Sequence, residues 1–234
     1  MSTRTAVVVG VGPGLGMSVA HRFGREGYSV ALVSRSDARH AAYVSALAAD
    51  GISAEAYVAD VRDLDRLLST LDAIGAVDLL YYGPGAIDGP RPRPIVSTTA
   101  DEVRESMAGV YPAVDVVNRV LPGMLERGAG GLLFAGGLSA VQPIPFLGSL
   151  AVSSAALRNY VVTLNAGLAG TGVYAGSLIV GGLIERGDIH RLVVSQPEQF
   201  GGVPVETLDP DDIAETAWEL YAKRDRAEAV FSTF

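Results

Sequence analysis

The run Val7-Val8-Val9-Gly10-Val11-Gly12-Pro13-Gly14-Leu15-Gly16 constrains this chain more than any other stretch. An apolar strand at about 6–10 runs into a glycine-rich turn, and the turn opens a helix at about 14–26. Three of the glycines have separate tasks. Gly10 permits the tight turn, Gly14 lets backbone approach a pyrophosphate, and Gly16 lets the helix pack close to the strand. The helix start would present unpaired N–H groups and its positive dipole end to phosphate oxygens. Gly12, Pro13 and Leu15 complete the predicted binding turn. The reading is a dinucleotide-binding strand–turn–helix; its rival is a turn that has kept the shape and lost the ligand.

The same alternation of short apolar runs with longer helical patterns continues to the C-terminus. Strands are expected at 29–34, 54–58, 77–82, 131–135 and 173–180, with a last one near 229–232. Helices are expected from the second strand to about 50, then at 64–74, 100–127, 147–169 and 211–223. A glycine- and proline-rich loop fills 83–94. The pattern predicts an α/β fold, a Rossmann-like doubly wound parallel β-sheet with helices on both faces, in one domain over 1–234. In such sheets ligands bind beyond the carboxyl ends of the strands, at the point where strand order reverses. That rule directs attention to residues just after the strands.

Composition narrows the function. A chain of 234 residues that is 49% apolar can bury one large core. A net charge of −8 argues against nucleic-acid binding. There is no cysteine, and His21, His40 and His190 show no metal-ligand spacing, so no metal site is expected. The N-terminal residues show no signal-peptide pattern, which reads as cytoplasmic. Between Arg127 and Glu185 the only charged residue is Arg158. Glycine, proline, serine and asparagine interrupt that stretch before ~20 apolar residues accumulate, so no membrane span is expected. A core helix that also faces a partner subunit fits it better.

The second strand ends Leu32-Val33-Ser34-Arg35. A carboxylate at Ser34 would bind an adenosine ribose and repel a 2′-phosphate. A neutral residue followed by Arg35 favours NADP(H) over NAD(H), unless Arg35 is only a solvated loop residue. Asp60 and Val61 follow the third strand, where a carboxylate can accept from an adenine amino group or cap a helix. Gly83 and Gly85 follow the fourth strand and allow close passage of backbone and ligand, or simply a turn.

These residues resemble the short-chain dehydrogenase/reductase superfamily over essentially the whole chain. The family's T-G-x-x-x-G-x-G turn corresponds to Val9 through Gly16, and its N-N-A-G motif to Tyr82-Gly83-Pro84-Gly85. Leu121-Pro122-Gly123-Met124 matches its "LPxM" run, and Ser153 with Ala155-Ala156-Leu157 matches its "SKAAL" run around Ser154. The resemblance implies hydride transfer between a nicotinamide cofactor and a carbonyl or alcohol. It adds Gly182 and Ile184 to the cofactor-binding set, and it implies a homodimer or homotetramer built on the two long helices.

The family's catalytic asparagine, serine, tyrosine and lysine fall on Gly109, Gly137, Leu150 and Ser154, and its cofactor-touching threonine falls on Arg186. The chain's single lysine, Lys223, lies near the C-terminus. General acid–base help of about 10²–10⁴-fold is therefore missing from its usual place. Substitutes are sought in Tyr82, at the end of the fourth strand, and Ser139, after the fifth. Tyr111 lies on the wrong helical face, and Tyr160 lies about 15 Å beyond Leu150 along its helix. Three functions compete: an atypical NADP(H)-dependent oxidoreductase, a non-redox enzyme (cyclase, isomerase or dehydratase), and a non-catalytic NADP(H) sensor or partner subunit.

Overall fold

The computed structural model describes residues 4–85, 92–196 and 206–233. Strand β1 (Arg4–Val9) leads through α1 (Leu15–Arg25) to β2 (Tyr28–Ser34), then α2 (His40–Ala49), β3 (Ala54–Val58), α3 (Leu64–Ile74) and β4 (Leu79–Tyr82). The second half runs α4 (Ala100–Met107), α5 (Tyr111–Arg127), β5 (Gly130–Gly137), α6 (Ser149–Gly167) and β6 (Val173–Gly181). After it come β7 (Leu183–Ile184), α7 (Asp188–Ser195), β8 (Thr207–Leu208), α8 (Pro210–Lys223) and β9 (Glu228–Ser232). Among the described residues seven strands form one parallel sheet in the order β3-β2-β1-β4-β5-β6-β9. Strand order reverses at β1 and β4, which pair through Val7 opposite Leu80 and Val9 opposite Tyr82.

The strands read as unbroken apolar runs because both faces of the sheet are covered. Side chains alternate between the faces with period two. Val7, Val9, Leu80, Tyr82, Leu132 and Phe134 share one core with α3, α5 and α6. Ala6, Val8, Leu79, Tyr81 and Leu133 share the other with α1, α2 and α8. Fully burying an aromatic such as Phe23 stabilises the fold by about 2–3 kcal/mol.

These two cores fix the handedness of the connections. The crossovers from β1 to β6 place helices on the right-handed side each time, with α1 and α2 on one face and α3, α5 and α6 on the other. The step from β6 to β9 continues in the direction of β4-β5-β6, yet α8 lies on the opposite face, with α1. That crossover has the other hand. Phe23 of α1 meets Trp218 edge-on at 5.4 Å and Tyr221 at 5.9 Å, and Arg22 pairs with Glu215 at 2.6 Å.

Two features depart from the sequence pattern. The helix expected at 100–127 is broken between α4 and α5 at Ala108–Val110. Gly109 is a poor helix former, and Pro112 lacks the N–H that a continuous helix would use. The excursion holding β7, α7 and β8 has no counterpart in the sequence pattern. Its base is closed by pairing of Leu183 with Thr207 and Ile184 with Leu208, short elements with too few residues for a periodic signal. Of the glycine- and proline-rich loop at 83–94, residues 86–91 lie outside the described residues. Among the described residues no helix is long and apolar enough to cross a membrane.

Candidate active site

The glycine turn is held by its neighbours. Gly10 has φ +86°, and a Cβ there would sit 2.5 Å from the backbone of Pro84. The Gly10 and Val11 amides donate to the Val33 carbonyl at 2.9 and 3.1 Å, and the Gly83 amide donates to the Val9 carbonyl at 3.0 Å. The turn is thus stitched to both neighbouring strands at the reversal point. A Cβ on Gly16 would meet Val11 Cα at 2.8 Å, which sets how closely α1 approaches β1. A Cβ on Gly12 would meet nothing within 4 Å. Helix α1 starts at Leu15 with no side-chain cap and no acidic residue in its first turn. Those features fit a phosphate group: the helix N-terminus is left for an anion, and space lies open above Gly12.

At the β2 end the Ser34 hydroxyl donates to the Ser36 carbonyl at 3.0 Å and lies 2.7 Å from His40 Nε2. Arg35 beside it is exposed. Asp60 accepts from the Arg62 amide at 2.9 Å and from its guanidinium at 2.8 Å. The Arg62 side chain holds the Asp60 carboxyl below its usual value, and Arg35 contributes to the same effect. The capping alternative for Asp60 is corrected: Asp63 caps α3, accepting from the Arg66 amide, because it stands directly before the first helical turn. Val61 packs partly against the core.

On the other side of α1, a Cβ on Gly14 would lie 3.0 Å from the Glu185 carbonyl oxygen and 3.1 Å from the Gly187 amide nitrogen. The turn after β7 therefore rests on the glycine loop. Gly182 and Ile184 lead into it, and the Glu185 amide donates to the Leu208 carbonyl at 3.0 Å. Arg186 adopts φ +63°, rare for a residue with a side chain. Its guanidinium turns to Ser18 at 3.2 Å, Asp211 at 2.8 Å and Asp209 at 3.4 Å. Burial works to raise the Asp211 carboxyl, but Ser18 and Arg186 outweigh it and hold it below the usual range.

A third group lies at the ends of β5 and α6. A Cβ on Gly137 would lie 3.4 Å from Ser154 Oγ and 3.7 Å from Ser139 Oγ, so two hydroxyls converge on the space above that glycine. Leu150 is half-buried beside them on α6. The Ser106 hydroxyl donates to Ser149 Oγ at 2.7 Å and ties the end of α4 to the start of α6. Among the described residues no group of three or more His, Asp or Glu could hold a metal ion.

The sequence profile of the family described as short chain dehydrogenase matches residues 4–187. The chain belongs to that family. A short chain dehydrogenase from Pseudocercospora fijiensis is 30% identical over 75% of this chain, which spans 58% of that relative's length. A dehydrogenase from Beutenbergia cavernae, solved with bound NADP, is 25% identical with a TM-score of 0.80, covering 99% of this chain and 95% of that one. A short chain oxidoreductase from Pseudomonas aeruginosa, described as containing an atypical catalytic center, has a TM-score of 0.83 at 21% identity. That likeness covers 98% of this chain and 95% of that one.

For a short chain dehydrogenase, Tyr82 is a tempting catalytic tyrosine, and the structure corrects that expectation. Its ring is 1% exposed and tilted against Phe134, which in turn meets Tyr160 edge-on, and its hydroxyl donates to the Gly109 carbonyl at 2.9 Å. Burial, with Asp115 nearby, pushes the phenol up. The side chain enters the core shared with α3, α5 and α6, and Tyr81, on the other face of β4, enters the second core. Tyr82→Phe is expected to cost about 1 kcal/mol of stability, read by denaturant unfolding, with nucleotide binding unchanged. Lys223 pairs with Glu219 at the far end of α8, about 20 Å along the helix from its start beside Arg186.

The sequence does not signal the ion pairs of Arg186, nor a pair between Arg39 and Asp188 at 2.7 Å. Those partners lie far apart along the chain, and only the fold brings them together.

Proposed function

We propose that this protein is an NADP(H)-dependent oxidoreductase acting on a carbonyl or alcohol, with a non-standard route for the proton. The observation that carries the reading is the uncapped, acid-free start of α1 beneath the open space at Gly12, with a neutral Ser34 and a cationic Arg35 at the adenosine end. Backbone N–H groups at Leu15 and Gly16 would hold the pyrophosphate, and Arg35 the 2′-phosphate. Asp60, Val61, Gly83 and Gly85 would border the adenosine, with Gly182 and Ile184 beside the nicotinamide. When bound, the cofactor supplies the hydride. The NADP held by the Beutenbergia cavernae dehydrogenase supports the choice of cofactor.

The positions that the family uses for proton handling hold Gly109, Gly137, Leu150 and Ser154. Ser139 and Ser154 would hydrogen-bond the substrate oxygen and orient it. Neither hydroxyl is acidic near neutrality, so the proton comes from water or from the substrate. Titration should show NADPH binding more tightly than NADH. Arg35→Ala should weaken NADPH about ten-fold, the worth of one charge-assisted contact, and leave NADH unchanged. Equal affinities in the unaltered protein would remove the NADP(H) assignment.

The convergence of hydroxyls without a stronger acid favours a second reading, dinucleotide binding without turnover. Loss of NADPH absorbance with any member of a carbonyl panel would eliminate it. Assembly as a homodimer or homotetramer through α5 and α6 is part of the proposal, since Tyr111, Leu125 and Val152 leave apolar surface exposed there. A monomer in sedimentation would remove that part.

A further inference from the structure

Arg39 stands immediately before α2, and Asp188 is its first-turn partner on α7. Their side chains meet at 2.7 Å although 149 residues separate them. The two ends of this bridge sit at opposite sides of the glycine loop. His40, next to Arg39, touches Ser34 at the tip of β2, where a 2′-phosphate would be read. Gly187, next to Asp188, lies against Gly14, with its amide nitrogen 3.1 Å from where a Cβ would be. The bridge therefore links the segment after β2 to the segment that follows β7, and the neighbours of its two ends touch Ser34 and Gly14.

We propose that the Arg39–Asp188 pair is a strap across the cofactor crevice, and that a 2′-phosphate releases it by taking Arg39 from Asp188. This rests on the dinucleotide reading above. A phosphate monoester carries between one and two negative charges at pH 7 and offers three acceptor oxygens, against one charge and two oxygens for a carboxylate. Guanidinium pairs with either in a two-pronged geometry, so the phosphate competes effectively. Arg39 and Asp188 are both partly exposed, so their bond is weak enough to exchange. Asp188 keeps Arg191 as a partner at 3.3 Å after Arg39 leaves, which prevents a stranded charge. The consequence is that recognition at the adenosine end frees α7 on the nicotinamide side. NAD(H), without the 2′-phosphate, leaves the strap fastened.

The probes are adenosine 2′,5′-bisphosphate and adenosine 5′-monophosphate, which differ at the decisive group and contain no nicotinamide. Amide hydrogen exchange in 188–195 is followed with each at saturation, beside binding titrations of the unaltered protein and Asp188→Asn. The bisphosphate should speed exchange in α7, and the monophosphate should not. Asp188→Asn should exchange fast without ligand and bind the bisphosphate about five-fold more tightly, the upper range for one exposed ion pair. Bisphosphate binding with no change in α7 exchange would overturn the strap and leave the dinucleotide reading standing. Equal binding to Asp188→Asn and the unaltered protein would overturn it in the same way. Failure to bind either probe would remove the dinucleotide reading and the strap together.

Discussion

Gly10→Ala is expected to lower the unfolding free energy by about 3–5 kcal/mol, which in a chain of this length shifts the melting temperature down by about 10 °C. Two costs add. The backbone at Gly10 has φ +86°, which disfavours any side chain by about 1–2 kcal/mol. The new methyl would also stand 2.5 Å from Pro84 Cα and nitrogen, and backbone cannot yield as a flexible side chain does. The amides of Gly10 and Val11 would lose their grip on Val33 as the turn moved. Gly12→Ala is the control. Nothing lies within 4 Å of its Cβ, so stability should stay within about 0.5 kcal/mol. Thermal unfolding without ligand reads both. A Gly10→Ala protein that melts within about 2 °C of the unaltered one would show that the turn can leave Pro84 without penalty.

Leu150→Tyr combined with Ser154→Lys should raise NADPH-dependent carbonyl reduction by about 10²–10⁴-fold, or about 3–5 kcal/mol of barrier. The two changes act together. A phenol with a pKa near ~10 donates poorly at neutral pH until a cation lowers it. Each single variant should therefore stay within about ten-fold of the starting rate. Both positions lie one helical turn apart on α6, beside the Ser139 hydroxyl and the bare Gly137. Ser154→Lys also removes the hydroxyl that faces Gly137, so any gain measures proton supply against lost orientation. Continuous absorbance with a panel of aldehydes and ketones is the measurement. A double variant that binds NADPH and reduces nothing would favour binding without turnover.

Much of the fold was legible because its signals are local. The apolar run Val7–Val9, the spacing of Gly10, Gly14 and Gly16, and the strand at 54–58 followed by the helix at 64–74 need only neighbouring residues to be read. Gly10, at φ +86°, and Gly16, against Val11, each have a local reason to lack a side chain, whereas the close neighbour of Gly14 is the distant Glu185–Gly187 backbone, which sequence does not signal. Tyr82 shows the limit of that reading: its place at a strand end is visible in sequence, but both faces of β4 are covered, so Tyr81 and Tyr82 each enter a core. Asp60 read as a possible cap because sequence does not mark where the helix begins; the helix boundary gives that role to Asp63. The excursion between β7 and β8 was illegible because two-residue strands carry no period. Arg186 stands out in sequence at the position of the family's threonine, but the direction of its side chain depends on Asp209 and Asp211, which α8 brings alongside α1.

The odd-handed crossover makes α8 a splint for the helix that would grip the phosphates. Phe23 finds two of its aromatic neighbours, Trp218 and Tyr221, on a segment nearly two hundred residues downstream, beyond residue 187 where the family match ends. Shortening the chain at that point would strip one flank of α1 and expose Val19 and Phe23 to water. Damage at the carboxyl end would then register first as weakened dinucleotide affinity, far from the break itself. A fusion partner that presses on Trp218 should be felt in the same distant place.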